Sequence, residues 1–203
     1  MIEVIARGAE AKVFRTTYDG QPALAKRRLP KAYRLAALDN AIRRQRTRRE
    51  AKILRAARAA GVNAAELFKE DEDNCELLLK EIKGTLLSRE KTIAPKQAHE
   101  AGVQLAALHN AGLVHGDYTT SNLMADGNAI TVIDFGLGEF SNAAEEKATD
   151  VLLFEKSIGG RKNEQALERE FEKAYLLHAR DGPATLQRVK AIYARMRYAS
   201  QSQ

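Results

Sequence analysis

The apolar and polar positions of this chain change character once, and the change divides it into two unequal parts. Residues 2–29 hold short mixed runs, "IEVIARG", "AKVFRTTY" and "QPALAKRR". A glycine-alanine bend separates the first two, and Asp19-Gly20, a hairpin signal, separates the second and third, so three strands are expected. Residues 33–60 are rich in Ala, Leu and Arg, contain no Gly or Pro, and stop at Gly61, which predicts helix in one or two pieces. An acidic turn, "EDEDN", leads into a strand in "NCELLLKEI", and Gly84 closes the first part. Beyond it the pattern becomes helical. Residues 95–111 read as an amphipathic helix opened by Pro95 and stopped at Gly112. "NLMADGNAITVIDFG" reads as a hairpin around Asp126-Gly127, with Asp134 at the end of its second strand. Helices follow at about 145–158, 163–180 and 183–199, the last two parted by Gly182-Pro183. The expected class is α+β, with a small β-rich lobe over 1–84 and a mostly helical lobe over 85–203. No internal repeat is visible.

Composition bounds the setting. The 203 residues are 44% hydrophobic and 30% charged, ordinary for a globular protein with its own core. No apolar run is long enough for a membrane helix. The start, "MIEVIARGAEAKVF", places charges where a signal peptide needs apolar residues. The single cysteine, Cys75, rules out an internal disulfide and a cysteine-built metal site, so a cytoplasmic location is expected.

Charge changes the picture more. Net charge is +6, but residues 26–58 hold 13 Lys or Arg against Asp39 and Glu50, which leaves the rest of the chain acidic. Such a block suits a polyanion such as RNA, and it equally suits one solvated helix face. The C-terminal "LQRVKAIYARMRYASQSQ" adds Arg188, Lys190, Arg195 and Arg197, open to the same two readings.

Five polar residues punctuate the elements: Lys26 on the third strand, Glu50 in the basic helix, Asp117 and Asn122 around a tight loop, and Asp134. Together they suit phosphoryl transfer from a metal-bound nucleotide. That chemistry needs cations and metal ligands on the phosphates and a base that positions the acceptor. Asn122 and Asp134 offer magnesium its oxygens, leaving Asp117 to accept a proton.

Here the chain resembles the protein-kinase-like superfamily. "HGDYTTSN" resembles the catalytic loop, "DFG" the magnesium motif, and "ALAKRR" the third-strand lysine region, with Glu50 where a helix glutamate pairs Lys26. A narrower resemblance is carried by "RGAEAKVF", "AKRRLPKAYR", "LDNAIRRQRTRREAKIL", "LHNAGLVHGDYTTSNLM" and "IDFGLGEFSNAAEEKATDVLLFEKSI". These are similar to the small atypical kinase subunit of the KEOPS complex, which takes part in making threonylcarbamoyladenosine on transfer RNA. The resemblance implies a bilobal kinase-like fold and the binding of ATP and Mg2+. It implies serine/threonine kinase or ATPase activity with autophosphorylation. It also implies association with the threonylcarbamoyl-transferase subunit and other KEOPS subunits, with transfer RNA met through a basic surface. Asp117 is then the catalytic base, Asn122 and Asp134 hold metal, and Lys26 and Glu50 serve the phosphates. The loop Arg7, Gly8, Ala9, Glu10 and Ala11 covers the nucleotide, and the backbone at Lys80 and Ile82 reads adenine.

The chain departs from ordinary kinases at several points. "RGAEAKVF" replaces GxGxxG, and Glu10 sets a carboxylate beside phosphates, where Arg7 and Lys12 stand nearest in sequence to offset it. A plain turn with a surface glutamate fits the same residues. Gly116 stands where arginine is usual, Thr119 and Thr120 replace a lysine, and no APE motif follows DFG, which argues against a general peptide kinase. Asp150 is expected to hold the catalytic loop through backbone N–H groups, His115 to orient it near DFG, and His109 to make a helix-end contact. A nucleotide-binding scaffold without turnover and a ribosome-maturation-type atypical kinase remain the alternatives. A small-molecule phosphotransferase of the aminoglycoside type needs a longer chain.

Overall fold

The computed structural model describes residues 4–8 and 10–201, with side chains through Met196. Ile2, Glu3 and Ala9, part of the strand and loop expectations, lie outside the described residues, as do the side chains of Arg197 and Tyr198. The first lobe is a five-stranded antiparallel sheet in the order β1-β2-β3-β5-β4. Its strands are β1 (Val4–Arg7), β2 (Ala11–Tyr18), β3 (Gln21–Arg28), β4 (Leu67–Asp71) and β5 (Glu76–Lys80). β2 and β3 pair from Ala11↔Arg28 to Tyr18↔Gln21, and Asp19 and Gly20 turn with positive φ of 47° and 75°, the conformation that a two-residue hairpin favours.

β4 is a correction. Its sequence "LFKED" runs into the acidic stretch that reads as a turn, yet Glu70 and Asp71 belong to the strand. Charge looks like a loop signal only while its partners are out of view. Arg55 on the neighbouring helix meets Glu70 at 2.7 Å, and Arg48 pairs with Glu72.

That helix, α1 (Ala36–Ala59), is one unbroken piece of 24 residues that starts three residues later than expected. Its buried positions, Asp39, Thr47, Glu50, Ala51, Ile53, Leu54 and Ala57, fall at helical spacing on one face. Ile53, Leu54 and Ala57 join the main core, while Glu50 faces the cleft between the lobes.

The second lobe holds α2 (Pro95–Asn110), α3 (Ala144–Ile158), α4 (Glu164–His178) and α5 (Gly182–Gln201). Short strands lie on the cleft side: β6 (Thr85–Leu86), β7 (Leu113–Val114), β8 (Leu123–Asp126), β9 (Ala129–Val132) and β10 (Glu139–Phe140). β6, β8 and β9 form one small sheet, and β7 pairs with β10. The β8–β9 hairpin forms as expected, but its two-residue turn is Gly127-Asn128, one position later, because Asp126 pairs with Ala129; β9 ends at Val132 and Asp134 lies beyond it. α2 begins at Pro95, with the Gln97 side chain accepting from the Ala94 N–H at 2.8 Å. α2 and α4 pack closely because Gly102 has no side chain: a Cβ there would lie 2.5 Å from the Phe171 carbonyl oxygen. Phe154 stacks on Phe171 at 4.0 Å between ring centroids, and the fully buried Tyr118 ties the loop after β7 to α2 through Ala101 O at 2.7 Å. Among the described residues no helix is long and apolar enough to cross a membrane.

Candidate active site

The cleft between the lobes brings together Lys26, Glu50 and Asp134. Lys26 Nζ donates to Glu50 Oε1 at 2.6 Å and to Asp134 Oδ1 at 2.7 Å. The Lys26 and Glu50 side chains are only 11% and 4% exposed, whereas that of Asp134 is 49% exposed. Burial works against the Lys26 charge, but the two carboxylates outweigh it and hold its pKa above the usual lysine value. Burial likewise opposes the Asp134 charge, and Lys26 with the Gly136 amide overcomes it, so this carboxyl sits below its usual range. Asp134 takes a φ of 60°, uncommon for a residue with a side chain, and its Oδ1 is fixed by Lys26 and by Gly136 N–H at 3.1 Å.

The opposite wall is the loop after β7. Fully buried Asp150, on α3, accepts the N–H groups of His115 at 2.7 Å and Gly116 at 2.8 Å, the backbone anchoring expected of it. His115 donates from Nε2 to Ile133 O at 3.1 Å and accepts the Asp117 N–H at Nδ1, its ring 5.2 Å from that of Phe135 in DFG. Asn122 Nδ2 donates to Asp117 twice, to the backbone O at 2.9 Å and to Oδ2 at 2.7 Å. The spacing of these two residues therefore places them side by side.

Gly116 explains one departure from ordinary kinases. Its φ is 77°, and a Cβ would sit 2.6 Å from the Leu137 carbonyl oxygen, so no arginine fits there without moving the segment after DFG. Thr120 is buried against α3, its N–H on Ser157 Oγ at 3.0 Å, which makes it part of the scaffold. His109 is more deeply placed than a helix-end contact. It lies between Tyr175 OH at 2.6 Å and Asp150 at 3.3 Å, and burial lowers its pKa against the pull of Asp150.

The loop from Arg7 to Ala11 differs from expectation. Gly8 N–H closes the turn on Ala11 O at 2.9 Å, and Ala11 begins β2 opposite Arg28. Arg7 and Lys12 face each other in the β1–β2 register, and other cations hold Glu10. Glu10 is held by Arg28 at 3.1 Å and by Arg46 of α1. Sequence reasoning missed both arginines. The signal for Arg28 was present, since it stands two residues from Lys26 and so shares its strand face. At the lobe junction, Lys80 N–H is engaged with Glu66 O at 2.8 Å and Glu81 N–H with Pro22 O at 3.1 Å.

The basic block is also engaged inside the molecule. On α1, Arg43 pairs with Asp39 at 2.7 Å, Arg44 with Asp73, Arg46 with Glu10, Arg48 with Glu72, and Arg55 with Glu70. Arg49 reaches Gly138 O and Glu139, and Arg58 reaches Ala64 O. On α5, Arg188 and Arg195 both meet Glu145.

Comparison with known proteins agrees with this geometry. The family described as RIO domain matches residues 11–152, most of the chain and both walls of the cleft. The chain belongs to this family. Within it, the KEOPS complex subunit Bud32 of Pyrococcus abyssi is 34% identical over 99% of this chain and 98% of its own length, so the chain is also a member of the Bud32 group. A probable bifunctional tRNA threonylcarbamoyladenosine biosynthesis protein of Methanobrevibacter smithii is 35% identical over 96% of this chain. The chain spans only 36% of the length of that relative. Among solved structures, the Rio2 kinase of Chaetomium thermophilum in its ADP/Mg2+-phosphoaspartate complex superposes with a TM-score of 0.66 at 13% identity, covering 100% of this chain and 71% of that one. At that identity the likeness concerns fold: a bilobal kinase-like architecture with a small β-rich first lobe and a mostly helical second lobe.

Proposed function

We propose that this family member is an atypical serine/threonine kinase or ATPase that uses magnesium-ATP, autophosphorylates, and works in the cytoplasm as a subunit of the complex making threonylcarbamoyladenosine in transfer RNA. The observation that carries the reading is Lys26 held between Glu50 and Asp134 across from Asp117 and Asn122. Partnership with the threonylcarbamoyl-transferase subunit and other KEOPS subunits is supported by the likeness to Bud32.

The residues present fit magnesium. Asp134 offers a half-exposed carboxylate, and Asn122, whose Nδ2 is turned to Asp117, keeps its amide oxygen for a cation. Few protein oxygens are needed, because magnesium retains waters and takes phosphate oxygens. When bound, the ion offsets charge on the phosphates. Lys26 turns from Asp134 toward phosphate oxygens and stays oriented by Glu50. Asp117, positioned by Asn122, accepts a proton from the attacking hydroxyl or water. Because Lys80 N–H is engaged, the amide that reads adenine comes from Ile82. Transfer RNA remains a proposed partner, but a phosphate arriving at α1 has to displace an internal carboxylate at most of its arginines.

The test is phosphate release from magnesium-ATP, with and without the transferase subunit and transfer RNA. Asp134→Ala should abolish magnesium-dependent release, and Asp117→Ala should lower it about 10²–10⁴-fold with nucleotide still bound. Wild-type turnover in Asp134→Ala sinks the metal-ligand role. Bound nucleotide with no release under any condition favours a scaffold.

A further inference from the structure

Six side chains form one continuous series of alternating charge through the first lobe: Asp134, Lys26, Glu50, Arg28, Glu10 and Arg46. Each touches the next, and the series begins at DFG and ends on the outer side of α1. Arg28 is its central link. It is 6% exposed, donates to Glu50 Oε2 at 2.6 Å and to Glu10 Oε2 at 3.1 Å, and lies against Gly136. Glu10 thus receives two guanidiniums, and the first of the causes that hold its carboxyl below the usual range is the Arg46 hydrogen bond.

A glycine-rich loop is free to settle on phosphates through its backbone. This loop is tied down at Glu10, whose side chain takes Arg28 and Arg46 and whose backbone O accepts the Leu29 N–H at 3.2 Å. We propose that Glu10 is a latch: bridged to β3 by Arg28 and to α1 by Arg46, it holds the β1–β2 hairpin closed over the nucleotide site and makes its opening depend on the same helix that positions Glu50. The proposal rests on the nucleotide-binding reading of this cleft. An anion site at the arginines is disfavoured by size. The cavity behind Glu10, lined by Arg28, Lys31, Arg34, Arg43 and Arg46, has a volume of about 10 Å³, room for about one water. Arg46 acts through Glu10 and is a positioning residue.

Two measurements on the intact chain decide it. The first is amide hydrogen exchange in the ligand-free protein, read over the β1–β2 hairpin. The second is the dissociation rate of a fluorescent ATP analogue with magnesium. Glu10→Gln and Arg46→Ala should each speed hairpin exchange and nucleotide release about fivefold, the scale of a partly exposed ion pair. Arg46→Lys should recover part of both. Arg48→Ala, which removes a cation from the same helix but pairs with Glu72, should leave both unchanged. Equal hairpin exchange in all variants, or an Arg48→Ala effect as large as that of Arg46→Ala, overturns the latch. Failure of the wild type to bind the analogue overturns the nucleotide reading, and hairpin exchange still decides whether Glu10 closes the loop.

Discussion

The two walls of the cleft are held by different physics. On the first-lobe wall, charge holds charge: Lys26, Arg28, Glu50 and Glu10 are fixed by one another, on three separate elements. On the second-lobe wall, a buried carboxylate holds backbone: Asp150 accepts two consecutive amides, His115 bonds Ile133 O, and Tyr118 bonds Ala101 O. Ion pairs exchange partners when phosphates and a cation arrive, since each charge gains what it gives up. Amides bonded to a buried carboxylate have no alternative partner, and losing it costs their full desolvation. On the proposed function, the wall that grips and releases a nucleotide is therefore the adjustable one, and the wall that positions Asp117 is fixed.

The largest effect should come from breaking the fixed wall. Asp150→Ala strips His115 N–H, Gly116 N–H and His109 of their acceptor in a dry interior, and should cost about 3–5 kcal/mol in urea unfolding. Lys26→Met should cost less, about 2 kcal/mol, because Glu50 keeps Arg28 and is not left as an unpaired buried charge, and Asp134 is half open to water. Comparable losses in the two variants would erase the distinction between the walls.

The sequence showed these two walls unevenly. The motif residues were legible because their spacing is local: five residues bring Asn122 back to Asp117. The resemblance also anticipated the role of Asp150. What stayed hidden was long-range charge pairing. Glu10 meets a cation 36 positions away, and Glu70, Glu72 and Asp73 meet arginines 15 to 29 positions away. Read along the chain, those arginines are a basic block and those acids a turn. Folded, they interleave, and the strand β4 and the anchoring of Glu10 rest on that interleaving.

A second buried carboxylate in the same lobe sharpens the contrast with Asp150. Glu155 on α3 is 5% exposed and accepts from Tyr193 OH at 3.0 Å, and among the described residues its Oε1 has no hydrogen-bond donor. Burial first, then the charges of Glu172 and Glu168, pushes it up to about 7. The folded state therefore holds this proton more tightly than the unfolded chain. Stability from this group is complete below pH of about 4.5, falls as pH rises toward 7, and stays reduced above it. Glu155→Gln should stabilise by about 2 kcal/mol at pH 8 and change little at pH 4. A stabilisation independent of pH would mean that the charge is not the cause.

The smallest effect should come from the outer edge of the adjustable wall. Arg48 and Glu72 form a two-point pair between α1 and the β4–β5 turn, open to solvent. Exposed pairs contribute little, and salt screens what they contribute. The melting midpoint of Arg48→Ala should lie slightly below that of wild type in dilute buffer, and the two should converge in 0.5 M salt, about where the screening length falls below 5 Å. Lys26→Met should keep its difference from wild type in the same salt, because its partner Glu50 is 4% exposed and out of reach of counterions. If both differences vanish together, the first-lobe wall is a surface network throughout. If only the Arg48 difference vanishes, the wall grades from a screened rim at Arg48 to a buried centre at Glu50, where Lys26 and Arg28 meet.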